Sequence, residues 1–394
     1  MLPSWLPKSL LQRLRQVTYL AGYALACAAH KPEPGTVLFL SDSNATLTGN
    51  QEVLARELTK RGYTVRTSLK GGLATRRTRA QQIALCIDLA KAPVIIVDDY
   101  FPMIYQLKLR KGTQLLQVWH ASGAFKRMGF SRVGKPGGPV KGSRTHKNYT
   151  AAIVSSRAIR ENYAEAFGIS LDKVHATGIP RTDVFFDTQY IENARAEVRK
   201  ELDIPADKKL LLFAPTFRGN GQMSAYYDPT WIDWEQLAQK VGPNYIIGYK
   251  AHPFVKDKPE IVTTDPRFRD LGSIRDTNRL LMATDLLVTD YSSIIFDFAL
   301  LGRPTVFFCP DLEEYVAARD FYYPYDRYTF GPVARTWEEL AQHVNAETPR
   351  SASHDEFVEF FCGACDGAST ARVIDELIAP YTLDSGSTSA VKGS

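Results

Sequence analysis

The sequence predicts an α/β protein of two Rossmann-like, doubly wound domains facing a cleft, preceded by a membrane-associating helix. Three observations predict it. The chain has 394 residues, more than one compact domain of about 100–200 residues usually holds. Short β-branched runs alternate with helical patterns in two successive series. The residues able to do chemistry follow directly on those runs, where doubly wound sheets bind their ligands. A composition of 44% hydrophobic, 23% charged and 11% aromatic residues excludes a mostly disordered, collagenous or coiled-coil chain.

Residues 10–29 (LLQRLRQVTYLAGYALACAA) set Arg13 and Arg15 beside an apolar stretch, with Trp5, Tyr19 and Tyr23 placed for a headgroup boundary. No run of 18 apolar residues occurs, so a spanning helix of about 20 residues is not predicted. The expectation is an amphipathic helix over 1–30 lying in the membrane plane. A secretory signal ending near Ala24-Leu25-Ala26 and a helix packed on the domain are the alternatives.

The first series places strands at 36–41, 63–67, 94–98, 115–119 and 151–154, with helices at 51–61, 78–90 and 156–167. Strand and helix alternate, which predicts a parallel sheet in an N-terminal domain over 31–190. A polar helical stretch at 191–202 and a turn at Pro205 put the boundary near 190–206. The second series has strands at 210–214, 245–249, 286–289 and 305–308, with helices at 234–241, 277–283 and 293–301. It forms a C-terminal domain over 191–380. After a last helix near 368–381, the Ser- and Gly-rich tail, 381–394, is expected to be disordered.

Charge divides unevenly along the chain. Residues 1–160 hold 25 Lys and Arg against 7 Asp and Glu, and the remainder 23 against 36, so the two parts carry about +18 and −13. Between Tyr100 and Arg160 there is no acidic residue. Such a block attracts a polyanion; nucleic acid, anionic headgroups and a phosphate polymer all satisfy it, as does a merely solvated basic face. The five cysteines are odd in number and scattered, which excludes a secreted disulfide framework. Cys362 and Cys365 have the spacing of half a zinc site, but no second pair completes it.

At the predicted strand ends the motifs are specific. The run 115–119 leads into His120-Ala121-Ser122-Gly123, where an imidazole with small residues after it is a candidate general base; a core or capping histidine is the plainer reading. The run 245–249 leads into Lys250-Ala251-His252-Pro253, a cation and an imidazole suited to a phosphoryl oxygen. Asp290-Tyr291-Ser292-Ser293 precedes a helix and reads as a phosphate cradle or as a helix cap. Thr216 and Arg218 follow 210–214, and arginine suits bidentate phosphate contact. Arg181 and Asp183 lie in a comparable turn, Gly178-Ile179-Pro180-Arg181-Thr182-Asp183. No Walker A, HExxH, GxSxG or GxGxxG sequence is present.

Taken in order, VWHAS, GIPRTDVFF, LLFAPTFR, KAHPF and TDLLVTDYSSIIFDFALLGRPTVFF resemble the CDP-glycerol glycerophosphotransferase family, the bacterial teichoic-acid and capsule polymerases and primases. The Asp366-Gly367-Ala368-Ser369 segment with Arg372 is similar to the family's closing signature. Two motifs depart from the family pattern: His120-Ala121-Ser122-Gly123 stands for His-Gly-Thr/Ser-Pro, and Arg218-Gly219 follows phenylalanine where the family has Trp-Arg-Asp.

The resemblance implies a GT-B fold and peripheral attachment to the cytoplasmic face of the cell membrane. It implies transfer of glycerol phosphate or ribitol phosphate from CDP-glycerol or CDP-ribitol to a lipid-linked polyanionic acceptor, with CMP leaving. His120 and His252 are then expected to be catalytic. Arg218, Thr216, Lys250, Asp290, Ser292 and Ser293 are expected to bind the nucleotide diphosphate, and Lys126, Arg127, Arg181 and Asp183 the acceptor. No cofactor and no nucleic acid are required; a magnesium ion would sit on Asp290. The rival classes are a GT-B glycosyltransferase using a nucleotide sugar and a non-catalytic protein binding anionic membranes or nucleic acid.

Overall fold

The computed structural model describes residues 8–72, 75–219, 222–256, 261, 263–274, 276–346 and 350–382. Trp5 and the tail from 383 onward lie outside the described residues. The chain divides into two compact units. The first takes the chain up to Ala121, Met128–Asp183 and the chain from Ala364; the second takes Ser122–Arg127 and Val184–Gly363.

In the first unit the strands β1 (Thr36–Ser41), β2 (Thr64–Leu69), β3 (Val94–Val97), β4 (Gln114–Gln117), β5 (Ala151–Ile153) and β6 (Val174–His175) form one sheet. Its order is β2-β1-β3-β4-β5-β6 and every pairing is parallel. Crossover helices cover both faces of such a sheet, so its inner strands are apolar throughout. Accordingly β1, β3, β4 and β5 are buried at every position, while the edge strand β2, TVRTSL, is buried at none. The order reverses between β1 and β3, which makes that point the switch point.

Helices α1 (Lys8–Ala29), α2 (Gly49–Lys60), α3 (Arg79–Lys91), α4 (Pro102–Tyr105) and α5 (Arg160–Phe167) complete the unit. A capping box of Thr78 and Gln81 starts α3, and Gly168, at φ +61°, ends α5. The later part of α1 packs on α3: Tyr23 and Ala26 are buried, the Cys86 thiol donates to the Tyr19 carbonyl, and Arg110 donates to the Cys27 and His30 carbonyls at 2.7 Å each. This is the packed-helix alternative for that stretch. Among the described residues no helix is long and apolar enough to cross a membrane.

The second unit repeats the plan with a different order. Strands β7 (Lys209–Phe213), β8 (Tyr245–Tyr249), β9 (Phe268–Asp270), β10 (Leu286–Thr289), β11 (Thr305–Phe308) and β12 (Val333–Ala334) form an all-parallel sheet ordered β12-β11-β10-β7-β8-β9. Counted within the unit this is the Rossmann order 3-2-1-4-5-6 read from the other edge, with its switch point between β7 and β10. Alternate residues serve the two faces. Leu211, Phe213, Ile247, Val288 and Phe308 pack on one side, and Leu210, Leu212, Ile246 and Leu287 on the other.

Among the described residues seven helices belong to it: α6 (Thr188–Glu201), α7 (Trp234–Lys240), α8 (Thr277–Ala283), α9 (Ile294–Ala299), α10 (Leu312–Ala318), α11 (Trp337–Ala346) and α12 (Ala352–Cys362). Aspartates cap three of them, with Asp187, Asp233 and Asp276 each accepting a backbone N–H of the first turn.

The expected boundaries lie near 190–206 and at 380; the compact units divide after Asp183 and after Gly363. Helix α6, expected as a linker, buries Ala194 and Val198 in the second unit's core, and Arg195 ties it to Asp285 at 2.6 Å. The final helical segment belongs instead to the first unit, where Asp183 accepts the Ser369 and Thr370 N–H groups at 3.0 and 2.8 Å. Residues 122–127 are the other excursion. Ser122 donates to Asp297 at 2.8 Å, Tyr328 donates to the Ala124 carbonyl at 2.8 Å, and Lys126 bridges Phe321 in antiparallel fashion. Gly123, at φ +68°, lies so close to the Phe296 ring that a Cβ would meet it at 2.4 Å. Glycine is required there for both reasons, which explains this departure from the family pattern.

Candidate active site

In the first unit the strand end after β4 carries the candidate base. Trp119 has φ +47°, a conformation that L side chains adopt only under constraint. Three contacts impose it. The Asn50 amide donates to the Val118 and Trp119 carbonyls at 3.0 and 2.8 Å, and Gln117 accepts the Trp119 N–H at 2.8 Å. The kink leaves Val118 and Trp119 buried while His120 is exposed.

The His120 ring stacks on Trp119 with centroids 4.4 Å apart, and its Nδ1 lies 3.1 Å from the Asp98 carbonyl oxygen. A carbonyl only accepts, so Nδ1 carries the proton and Nε2 keeps a free lone pair. That is the tautomer a general base needs. Beside it, at the carboxyl end of β3 and the switch point, the Asp98 carboxyl is buried. Burial first, and the Asp99 charge second, push it up to about 6. Its Oδ1 has no hydrogen-bond partner among the described residues.

Two residues expected to bind the acceptor lie here. Arg181 donates its backbone N–H to Asn50 Oδ1 at 3.0 Å, so its turn braces the amide that holds the Trp119 kink. The Asp183 carboxylate is occupied by the two N–H groups that open the last helical segment.

In the second unit the switch point is built around Arg218, whose guanidinium is 5% exposed. Its Nε and Nη2 donate to the two oxygens of Asp311 at 2.6 and 2.8 Å. Nη1 donates to Asp290 at 2.9 Å and to the Thr216 carbonyl at 3.1 Å. The rings of Tyr227, Trp231, Tyr291 and Tyr315 lie 4.7–5.5 Å from its centre. Burial opposes its charge, but Asp290 and Asp311 outweigh that and hold its pKa above the usual arginine value.

The other Asp290 oxygen accepts the Thr216 and Tyr291 N–H groups at 2.7 and 2.6 Å. Arg218 and the Thr216 backbone, expected beside phosphate, form parts of this wall. Asp290, expected as a ligand or magnesium site, stands at the centre of that wall with N–H donors on both oxygens. Among the described residues no group of three His, Cys, Asp or Glu is placed to hold a metal.

Lys250 is likewise engaged. Its Nζ donates to the carbonyls of Leu271 and Ile274, fixing the end of β8 to the loop after β9. Arg127 donates its backbone N–H to the Asp320 carbonyl at 2.8 Å and its Nε to the Phe321 carbonyl at 3.3 Å, so it holds the excursion in the second unit. Lys126, expected to bind the acceptor, is half-buried and lies 5.4 Å from the Tyr315 ring.

His252 sits between Phe217 and Phe254, with centroids 4.8 and 5.0 Å away. Its Nδ1 accepts the Phe254 N–H at 3.1 Å, which places the proton on Nε2. Burial, then the Lys126 charge, lower its pKa to about 4. The ring is thus a neutral N–H donor at pH 7, as transition-state hydrogen bonding to a phosphoryl oxygen requires. Ser292 is half-buried and bonds locally to the Ile294 N–H at 3.4 Å, and Ser293 is exposed. Helix α9, which they precede, has six residues, so the hydroxyls count for more than its dipole.

A family model described as CDP-glycerol:poly(glycerophosphate) glycerophosphotransferase matches residues 23–379. The chain belongs to that family. It is 41% identical over 347 residues to the teichoic acid poly(ribitol-phosphate) polymerase of Bacillus spizizenii, covering 87% of this chain and 56% of that protein. It is 39% identical over 369 residues to the teichoic acid ribitol-phosphate polymerase TarL of Staphylococcus aureus, covering 92% of this chain and 66% of that one. The chain thus spans between half and two thirds of the length of these relatives. Its fold is that of the wall teichoic acid polymerase TagF, with a TM-score of 0.75 at 21% identity over 96% of this chain and 98% of that one. The two parallel-sheet α/β units are this family's fold.

Sequence reasoning missed Asn50, Asp98 and Asp311. Asp98 and Asp311 could have been found as acidic residues just beyond the β3 and β11 runs; nothing local marks Asn50. Replacing Arg218 with methionine leaves Asp290 and Asp311 buried without their cation. Unfolding by urea is expected to show a loss of about 3–5 kcal/mol; a loss below about 1 kcal/mol would mean that the network does not hold the site.

Proposed function

We propose that the chain transfers an alditol phosphate from a CDP-alditol to a hydroxyl of a polymeric or membrane-lipid-linked acceptor, releasing CMP, in the synthesis of a teichoic-acid-like or capsular polymer. Ribitol phosphate is favoured, because the relatives named above are ribitol-phosphate polymerases. The observation that carries the reading is His120, a base with its Nε2 lone pair fixed at a strained strand end in a chain of this family. GT-B is the fold class that accords with one doubly wound parallel sheet in each unit.

The acceptor hydroxyl gives its proton to His120 Nε2 as its oxygen bonds to the phosphorus bearing the alditol. The bond from that phosphorus to the bridging oxygen breaks, and CMP departs with the electron pair. Little covalent assistance is needed in such a transfer beyond positioning and charge neutralisation. Within the second unit, His252 is a fixed Nε2–H donor suited to a phosphoryl oxygen, Ser292 and Ser293 offer hydroxyls, and Arg218 with Asp290 keeps that unit's loops in place.

His120→Ala is expected to lower CMP release from CDP-ribitol or CDP-glycerol by about 100- to 10,000-fold, with nucleotide binding retained. Unchanged turnover would remove the base assignment.

Peripheral attachment to the cytoplasmic membrane face belongs to the same reading. Val17 and Leu25 are exposed on α1, and Lys108, Lys111, Lys135, Lys141 and Lys147 are exposed along the basic block. Apolar side chains beside lysines suit an anionic bilayer surface. The protein is expected to sediment with anionic vesicles and to be released by salt; equal partition with neutral vesicles, or none with either, would count against attachment.

A further inference from the structure

We propose that Lys126 is the cation that receives the diphosphate of the nucleotide donor, and not an acceptor-guiding residue of the basic block. The proposal rests on the transferase reading above and names the donor subsite within it.

The backbone of Lys126 is fixed on both sides. Tyr322 donates its N–H to the Phe125 carbonyl at 2.9 Å, Arg127 donates to the Asp320 carbonyl at 2.8 Å, and Lys126 itself pairs with Phe321. The side chain is thereby directed over the Tyr315 ring, which stacks on Tyr291 with centroids 3.8 Å apart. It lies at the carboxyl end of the second sheet, at the switch point where such sheets bind nucleotides.

The groups that face it are Asp290 from the β10 end, Arg218 from the β7 end, Arg319 beyond α10, His252 from the β8 end and Tyr315 of α10. None of them satisfies it. Asp290 is already bound to Arg218 and two backbone N–H groups. Arg319 is itself a cation and donates to the Gly219 carbonyl. Among the described residues no acceptor lies within hydrogen-bond distance of Lys126 Nζ.

An ammonium half withdrawn from water and crowded by two guanidinium groups is unfavourable without an anion. Burial accordingly lowers the Lys126 pKa to about 7; Arg319 and Arg218 add to the effect and Asp290 opposes it. A polyphosphate anion reverses that balance. It supplies acceptors to Lys126 and a counter-charge to Arg319, and it meets the His252 Nε2–H donor. A diphosphate on a nucleoside has the charge to serve all three.

A consequence for pH follows. Lys126 must be protonated to receive the anion, so capture of donor by the free enzyme weakens as pH rises through about 7. Bound phosphate holds the proton on, so kcat is less affected than kcat/KM. Guanidinium stays charged throughout this range, so an arginine at this position abolishes the falling limb.

The test measures binding of CDP by calorimetry, and kcat and KM for CDP-ribitol and CDP-glycerol from pH 6 to 9, in wild type, Lys126→Met and Lys126→Arg. Thermal unfolding checks that each variant is folded. Lys126→Met is expected to lose about 10- to 100-fold in CDP affinity and in donor kcat/KM, with acceptor KM unchanged. Lys126→Arg is expected to retain binding and to lose the falling limb. The assignment is overturned if the methionine variant binds CDP as wild type does, if only acceptor KM changes, or if the limb persists in the arginine variant. A wild type that neither binds CDP nor releases CMP removes the transferase reading and Lys126 with it. Wild-type binding alongside an indifferent methionine variant removes Lys126 alone.

Discussion

The second unit's site depends on one buried guanidinium. Three loops leave the carboxyl ends of β7, β10 and β11, where no ladder hydrogen bonds remain to hold them. Arg218 joins all three by donating to Thr216, Asp290 and Asp311. Only arginine offers a planar fork of donors able to serve two carboxylates and a carbonyl together. Its aromatic surroundings exclude water and strengthen each of those bonds. Because the network satisfies itself, it shapes the crevice and leaves the chemistry to its neighbours.

The first unit meets the same problem without charge. There the Asn50 amide at the start of α2 donates to two carbonyls and accepts from Arg181, holding Trp119 at positive φ and presenting His120. The result is an imidazole whose tautomer is set by a backbone carbonyl. In His252 the other nitrogen is the acceptor, for a backbone N–H. One ring is therefore prepared to take a proton and the other to donate a hydrogen bond. The difference comes from local backbone polarity alone.

Much of the fold was legible because buried parallel strands carry continuous apolar runs: VIIV at 94–97 and TVFF at 305–308 are unmistakable. The short edge strands β6, β9 and β12 were not, since two or three half-buried residues show no pattern. The expected element positions mostly match, but the two returns of the chain, at 122–127 and after 364, have no signal in hydropathy. Motif residues were found at the right strand ends. Their roles were less legible, because a residue's type does not reveal whether a partner distant in sequence has already engaged it. Arg218 and Asp183, expected as ligands, have partners of that kind. Lys126 was grouped with the acceptor because its neighbours in sequence are basic, while its neighbours in space follow β7, β8 and β10.

The central claim is that the alditol travels with its phosphorus. CDP-ribitol radiolabelled at the phosphorus that bears the alditol, incubated with the protein and a teichoic-acid-type acceptor, tests this most directly. The account predicts label in the acceptor and unlabelled CMP as the sole nucleotide product. Label remaining on released CDP, with an unlabelled acceptor extended by the alditol alone, would contradict it.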